Sequence, residues 1–193
     1  MAIIGIEGGI GSGKTLLLAT LGYGDLQKGR TIISNIAFKG LSKEYRSRVK
    51  YLTADTIANM LTLIKNKELT LTNTTILIQE AHNYVDSRNS MSTKNKTFSY
   101  WILQSRHSGQ NSCDIIFDTQ SLSQVDLRLR RNTDYVFHPY ITEWEHFKNG
   151  KKAPNKILAI GHGKIYQQDT RFTISFDVSH TRNIYDTHEM VDF

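Results

Sequence analysis

The sequence has one cysteine, two prolines and no long hydrophobic run. A single cysteine, Cys113, permits neither an intramolecular disulfide nor a zinc site made of cysteines, and we expect its thiol to be buried. The longest apolar stretches, such as residues 16–19, are far shorter than the ~20 residues that a membrane-spanning helix needs. The amino terminus carries Glu7 instead of a basic cluster, so no secretory signal is predicted and a cytoplasmic location is expected.

The composition is that of an ordinary globular protein. Of the 193 residues, 39% are hydrophobic and 22% are charged, which predicts one domain with a sizeable core and argues against a disordered or coiled-coil chain. The formal net charge of +6 favours polyanionic partners. A basic surface kept for solubility explains the same charge, so charge alone assigns no ligand.

Strand patterns alternate with helical patterns over the first 139 residues. A strand at residues 2–6 precedes a glycine-rich loop at residues 8–13 and a helix from Lys14 to about Leu21. Further strands are predicted at residues 31–34, 75–78 and 114–118, and a helix with the apolar face Ile57, Met60, Leu61 and Ile64 lies between the first two of these. This order predicts an α/β fold with a mostly parallel sheet flanked by helices.

From about Tyr140 the pattern changes to short strand-like pieces separated by turn residues. Turns are predicted at Asn149 and Gly150, around residues 161–163, and over residues 167–169. We therefore expect two regions of one domain: a core at residues 1–139, and an antiparallel β appendage at residues 140–193 that packs on it.

A polar segment at residues 85–97 lies between two of the predicted strands. A loop of this length in a compact domain is usually functional or mobile. Its cations Arg88, Lys94 and Lys96 are candidates for contacts with a nucleic-acid backbone, although a solvated loop needs no ligand. The helix after it is predicted to bury one face, made of Phe98, Trp101, Ile102 and Ser105, and to end at Ser108 and Gly109.

Residues 8–15 carry the strongest functional signal. They match the pattern G-x-x-x-x-G-K-[ST] between a predicted strand and a predicted helix, which is the context that supports a phosphate-binding loop. Glycines let backbone amides surround phosphate oxygens, and the following helix directs its positive end at the same anion. The sequence thus predicts a P-loop NTPase of the RecA-like (ASCE) type that binds ATP with Mg²⁺.

Each residue of the loop has an expected contact. Lys14 is predicted to bridge the β- and γ-phosphates, and the Thr15 hydroxyl is predicted to bind Mg²⁺. The predicted nucleotide-binding residues are Gly8, Gly9, Ile10, Gly11, Ser12, Gly13, Lys14, Thr15 and Leu16.

A phosphate-loop hydrolase also needs acidic residues at the end of a second buried strand. The usual pair is Asp-Glu, but residues 76–78 are followed by Gln79 and Glu80. In one register Glu80 is the general base, and the metal is held by Thr15 and phosphate, with Gln79 acting through water. In the other register Glu80 binds Mg²⁺ and Ala81 stands where the base belongs, which predicts slow or absent hydrolysis.

The order of the motifs resembles the Zot-like ATPases of the HerA/FtsK superfamily. The resemblance rests on GSGKT at residues 11–15, GRTIISNI at 29–36, EAH at 80–82 with Arg88, RHSGQ at 106–110, and Thr119 with Gln120. It spans about residues 2–138. Two departures stand out: Gln79 replaces the usual Asp, and the chain lacks the membrane anchor typical of the filamentous-phage members.

The resemblance implies further site residues. Gln120 would sense the γ-phosphate or the attacking water, although an ordinary turn explains it equally well. An arginine from a neighbouring subunit would reach the nucleotide, with Arg130 preferred over Arg128 and Arg131. The implied assembly is a ring-shaped homo-oligomer, a pentamer or hexamer.

The activity expected from the sequence is ATP hydrolysis that drives DNA translocation. Its implied role is to package a viral genome, expected to be double-stranded DNA, into a preformed capsid, with capsid or portal-vertex proteins as partners. It would act in the host cytoplasm or at the packaging vertex of the virion. The alternatives are a Zot-like ATPase for filamentous-phage assembly or export, a small-molecule or nucleotide kinase, and a nucleotide-gated protein that does not hydrolyse ATP.

Overall fold

The computed structural model describes residues 2–66, 71–89, 91–107, 113–165 and 168–190. The helices are α1 (Lys14–Gln27), α2 (Lys43–Ser47), α3 (Ala54–Lys65), α4 (Thr93–His107) and α5 (Leu127–Arg131). The strands are β1 (Ile3–Glu7), β2 (Thr31–Ser34), β3 (Ile36–Phe38), β4 (Val49–Tyr51), β5 (Thr74–Ile78), β6 (Cys113–Thr119), β7 (Tyr135–His146), β8 (Lys152–Ile165), β9 (Gln168–Asp177) and β10 (Tyr185–Met190).

Eight strands form one sheet in the order β4-β2-β5-β6-β1-β7-β8-β9. The six strands from β4 to β7 are parallel, and β8 and β9 continue the sheet antiparallel. This is the predicted α/β fold with an antiparallel C-terminal part. Strands β3 and β10 form a separate antiparallel pair.

Both faces of the central strands are buried, which explains their lack of polar alternation. Ile76 and Ile78 of β5 pack on one side with Phe98 and Trp101 of α4. Leu77 points to the other side and packs with the residues of α1. Cys113 at the start of β6 is 1% exposed, and burial raises the pKa of its thiol to about 12, so the prediction of a buried cysteine is confirmed.

Helix α1 runs six residues beyond the predicted end near Leu21. Gly22 lies inside it, where an added Cβ would come within 2.3 Å of the Leu77 side chain. The small residue therefore lets the helix approach the sheet closely.

The predicted loop at residues 85–97 is wrong for its last five residues, because α4 begins at Thr93. Ser92 precedes the helix, and its hydroxyl accepts a hydrogen bond from Asn95 N at 3.2 Å. The buried Asn95 side chain donates to the Asp86 carbonyl at 2.6 Å. A cap and a buried polar contact thus make a helix from residues whose polarity predicted a loop. The predicted burial of Phe98, Trp101 and Ile102 is confirmed, whereas Ser108 and Gly109 lie outside the described residues.

Strand β7 joins the two regions expected from the sequence. It pairs with β1 through residues 135–137 on one side and with β8 along its whole length on the other, and it continues past residue 139 to His146. The predicted turn at Asn149 and Gly150 is confirmed. The expected boundary between residues 139 and 140 therefore falls within one continuous strand.

The predicted turn around residues 161–163 is wrong, because these residues lie within β8. Gly161 pairs with Phe172, and Gly163 pairs with Tyr135. A Cβ on either glycine would come within 2.3 Å of the opposing ring. The glycines make room for aromatic side chains in neighbouring strands and do not form a bend. Of the third predicted turn, Gln167 lies outside the described residues, and Gln168 and Asp169 begin β9.

Within the described ranges, no helix combines the length and the apolar character required to cross a lipid bilayer.

Candidate functional site

The phosphate loop connects β1 to α1 at the carboxyl end of the parallel strands. Gly11 and Gly13 have φ angles of 78° and 93°, a backbone conformation that favours glycine. Lys14 is 7% exposed and its Nζ donates to the Gly9 carbonyl at 3.1 Å, so its side chain folds back over the loop. The local backbone has the shape that the motif predicted.

Several features of the loop fit a polyphosphate. Ser12 Oγ is buried and has no hydrogen-bond partner within the part of the chain that the structure describes. Space next to Gly9 and Gly11 is open. The loop leads into the amino terminus of α1, a 14-residue helix, whose amides and dipole attract anions. These donors can bind the phosphates of a nucleotide.

The buried carboxylate beside the loop belongs to Asp118 of β6, a residue that sequence reasoning did not select. Its Oδ2 accepts a hydrogen bond from the Thr15 hydroxyl at 3.2 Å, and its Oδ1 accepts one from Glu80 N at 2.6 Å. Burial raises the pKa of Asp118 to about 7, and the Glu80 charge acts in the same direction, whereas these hydrogen bonds and the Lys14 charge oppose the rise. Asp118 was recognisable as an acid at the end of an apolar strand.

Gln79, at the position where an aspartate is usual, lies at the end of β5 and is 5% exposed. The Asn35 side chain forms two hydrogen bonds with the Gln79 backbone. Asn35 Nδ2 donates to Gln79 O at 2.9 Å, and Gln79 N donates to Asn35 Oδ1 at 2.7 Å. Gln79 Oε1 is buried without a partner in the described structure. The SNI sequence thus has a structural role in fixing the end of β5.

Glu80 lies directly beside these groups. Its backbone is left-handed, with φ 52° and ψ 54°, which is uncommon for a residue other than glycine and is found at functional sites. Its Oε2 lies 3.3 Å from His82 Nε2, and His82 Nδ1 lies 3.3 Å from Thr119 Oγ1. His82, for which no role was predicted, therefore connects the Glu80 carboxylate to the end of β6.

The other two predicted catalytic residues, Gln120 and Arg130, lie in different parts of the structure. Gln120 is exposed immediately after β6, at the same end of the sheet as the phosphate loop. Arg130 is partly buried on α5, with Arg128 and Arg131 on the same short helix. The chain then reaches Asp134, whose N donates to Ile3 O at the start of β1, the end opposite the phosphate loop.

The predicted DNA-contacting cations have different surroundings. Arg88 is exposed but forms a bidentate ion pair with Asp86, which raises the pKa of Arg88. Lys96 is exposed on α4. Lys94 is on the same helix, but its side chain lies outside the described part of the structure.

A cavity of about 320 Å³ adjoins the phosphate loop. Gly11, Gly13, Lys14, Thr15 and Leu16 form one wall, and the other wall comes from the β7–β8 hairpin and β10: Ile141, Trp144, Pro154 and Tyr185. The Trp144 ring is 42% exposed, with Lys152 Nζ at 4.9 Å from its centroid. Apolar and aromatic groups next to a phosphate site are suited to a nucleobase.

The donors at the loop also fit Mg²⁺. Among the described residues, no three His, Cys, Asp or Glu side chains come together as a metal site. However, a nucleotide-bound Mg²⁺ needs only one or two protein oxygens together with phosphate and water. Thr15 and the adjacent carboxylate provide oxygens of this kind.

The fold and the phosphate loop together define a P-loop NTPase. The family model for zonular occludens toxin (Zot) matches residues 2–139, and the chain belongs to the Zot family. The predicted resemblance is therefore confirmed. No curated protein matches the chain significantly in sequence.

Solved structures share the fold at low sequence identity. The N-terminal domain of zonular occludens toxin from Neisseria meningitidis is 18% identical, with a TM-score of 0.58, covering 96% of this chain and 98% of that domain. The genome packaging NTPase B204 from Sulfolobus turreted icosahedral virus 2, in complex with AMP, is 12% identical, with a TM-score of 0.54 and coverages of 88% and 96%. The ATPase domain of G40P is 10% identical, with a TM-score of 0.55 and coverages of 95% and 84%.

Proposed function

We propose that the protein is an ATP-hydrolysing motor that translocates DNA, and that it packages a viral genome into a preformed capsid. The observation that carries the proposal is the phosphate loop, with Thr15 hydrogen-bonded to the buried Asp118 carboxyl group, which also accepts a hydrogen bond from Glu80 N. Membership of the Zot family and the similarity in fold to a viral genome packaging NTPase support it. The proposed partners are double-stranded DNA and capsid or portal-vertex proteins, in the host cytoplasm or at the packaging vertex.

ATP binds with its phosphates on residues 8–16. Lys14 leaves the Gly9 carbonyl and pairs with the β- and γ-phosphates, and Ser12 Oγ gains a partner. The base enters the cavity that Trp144 lines. Thr15 and an adjacent carboxylate would hold Mg²⁺, which when bound would offset the negative charge of the phosphate oxygens.

Hydrolysis follows in-line attack of water on the γ-phosphorus. Glu80 accepts a proton from the water, the bond between the γ-phosphorus and the β–γ bridging oxygen breaks, and ADP and phosphate leave. His82 orients the Glu80 carboxylate through their 3.3 Å contact. Gln120 hydrogen-bonds the γ-phosphate or the water.

The test measures ATP binding, and ATPase activity with and without duplex DNA. Lys14→Ala is expected to abolish nucleotide binding, because the phosphate charges lose their buried cation, whereas Lys28→Ala, which removes a lysine with 73% of its side chain exposed, leaves binding unchanged. Glu80→Gln is expected to lower kcat by about 10²-fold or more with little change in ATP affinity. Glu44→Gln, on an exposed glutamate, is its control.

The outcomes separate the candidate functions. DNA-stimulated hydrolysis supports packaging. The Zot family match favours particle assembly or export as a second candidate, and stimulation by coat protein or lipid alone selects it. Transfer of phosphate to an added acceptor selects a kinase, and tight ATP binding without turnover selects a nucleotide-gated structural protein. Unchanged turnover in Glu80→Gln removes Glu80 from the mechanism.

Arg130 completes the site of a neighbouring subunit in a ring of five or six copies. Its guanidinium would neutralise charge that develops in the transition state. Lys14→Ala and Arg130→Ala subunits are each expected to be inactive alone. Mixed together they form some sites with both groups intact, so a partial return of activity on mixing supports the arrangement, and no return contradicts it.

A further inference from the structure

The aspartate that is usual at the position of Gln79, directly after β5, is absent. The neighbouring strand β6 carries an aspartate at the same level. Ile78 of β5 pairs with Phe117 of β6, so the next residues along the two strands are Gln79 and Asp118. The neutral Gln79 amide and the Asp118 carboxylate thus occupy neighbouring positions on adjacent strands. The hydrogen bond from Glu80 N to Asp118 Oδ1 joins the two strand ends.

Asp118 is placed to act together with the phosphate loop. Its side chain is 0% exposed, and Oδ2 accepts the proton of the Thr15 hydroxyl. With its proton directed at Asp118, the Thr15 oxygen keeps its lone pairs for a cation. The carboxylate therefore orients the one protein hydroxyl that the motif assigns to the metal.

The burial of Asp118 calls for a cationic partner. Removing a carboxylate from water is costly unless it is paired or bound to a metal. The two hydrogen bonds that Asp118 accepts within the described structure come from uncharged donors, the Thr15 hydroxyl and the Glu80 amide, and the Lys14 charge offsets its burial only in part. A divalent cation beside Thr15 would supply the missing charge, since Mg²⁺ prefers oxygen donors of this type.

We propose that Asp118 on β6 supplies the carboxylate of the magnesium site, in place of the aspartate that is usual at the position of Gln79 on β5. The inference rests on the proposed nucleotide-binding function and identifies a residue that holds its metal. Glu80 is then available as the base, and Gln79 is a buried amide next to the site. This arrangement keeps the register in which Glu80 is the base and adds Asp118 of β6 as the carboxylate that binds the metal.

The experiment measures metal binding directly, independently of turnover. Fluorescent ATP is titrated into each variant in EDTA and in Mg²⁺, and Mn²⁺ binding to the ATP complex is followed by electron paramagnetic resonance. Asp118→Asn is expected to bind ATP in EDTA like the wild type and to lose at least about tenfold of its Mn²⁺ affinity. Asp114→Asn, on the same strand but at the opposite end and paired with Arg30, is expected to keep the metal affinity.

Moving the acid back to β5 gives the decisive comparison. The double variant Gln79→Asp/Asp118→Asn is expected to recover most of the Mn²⁺ affinity that Asp118→Asn loses. Gln79→Asp alone is expected to change the Mn²⁺ affinity less than about threefold, because Asp118 already supplies the carboxylate. This single variant still tests the inference if Asp118→Asn does not fold.

The inference is overturned if Asp118→Asn keeps its Mn²⁺ affinity, or if Gln79→Asp alone raises it tenfold or more. Absence of ATP binding by the wild type, in both EDTA and Mg²⁺, would instead overturn the proposed function itself.

Discussion

Trp144 offers a direct test of where the nucleobase binds. Its ring lines the cavity beside the phosphate loop, whereas the second tryptophan, Trp101, is fully buried on the other side of the sheet. ATP is therefore expected to change the fluorescence of Trp144 alone, and Trp144→Phe is expected to remove the signal. Trp144→Ala is expected to weaken ATP binding about tenfold, because stacking of a base on an aromatic ring contributes on the order of 1–3 kcal/mol.

Tripolyphosphate provides the control for this prediction, since it has the phosphates of ATP but no base. Its affinity, measured by calorimetry, is expected to be the same in the wild type and in Trp144→Ala. Equal losses for ATP and tripolyphosphate would place the base elsewhere.

At the level of single residues, the sequence predicted what local chemistry determines. Lys14 and Thr15 follow from a pattern of adjacent residues, and both lie at the start of α1 next to the loop, whereas their contacts with phosphate and Mg²⁺ stay predictions. Asp118 was missed because its contact with Thr15 depends on the pairing of β6 with β1, which brings it to Thr15 from 103 positions along the chain. His82 was missed for the same reason, since its contact with Thr119 crosses between strand ends.

At the level of elements, two glycines of α1 provide a test of helix packing and its control. A Cβ on Gly22 would lie 2.3 Å from the fully buried Leu77, whereas a Cβ on Gly24 meets nothing within 4 Å. Gly22→Ala is expected to lower the free energy of unfolding by about 1–3 kcal/mol, because the helix or Leu77 must move. Gly24→Ala is expected to raise it by about 0.5–1 kcal/mol, because alanine favours the helix.

Urea denaturation of both variants checks this prediction. If the two substitutions have effects of the same sign, close packing of α1 on β5 is not what Gly22 provides.

Element boundaries were predicted best where burial is complete. Strands β2, β5 and β6 have apolar runs that read directly as strands, and the structure changes their ends by no more than one residue. The start of α4 was missed because its first turn is polar and depends on Ser92 and on the contact of Asn95 with Asp86. The glycines of β8 were interpreted as a turn because the aromatic rings that require them lie on other strands.

At the scale of the whole molecule, a chain ending at residue 139 is expected not to fold into a stable domain. The cut falls inside β7 and removes β8, which pairs with β7 and contributes the fully buried Ile157 and Ala159 to the core on the α1 side. The shortened chain would expose the edge of β7 and this apolar surface. Thermal unfolding followed by circular dichroism is expected to show no cooperative transition, together with aggregation by light scattering.

The full chain is the control, and it is expected to unfold in one cooperative transition. Cooperative unfolding of the 139-residue chain at a similar temperature would show that the parallel strands are a self-sufficient unit.

The two walls of the cavity come from distant parts of the sequence, and the match to the family model ends before the second one begins. If the proposed function holds, substitutions at Ile141, Trp144, Pro154 or Tyr185 are expected to alter the preference for one purine over the other and to leave triphosphate binding unchanged.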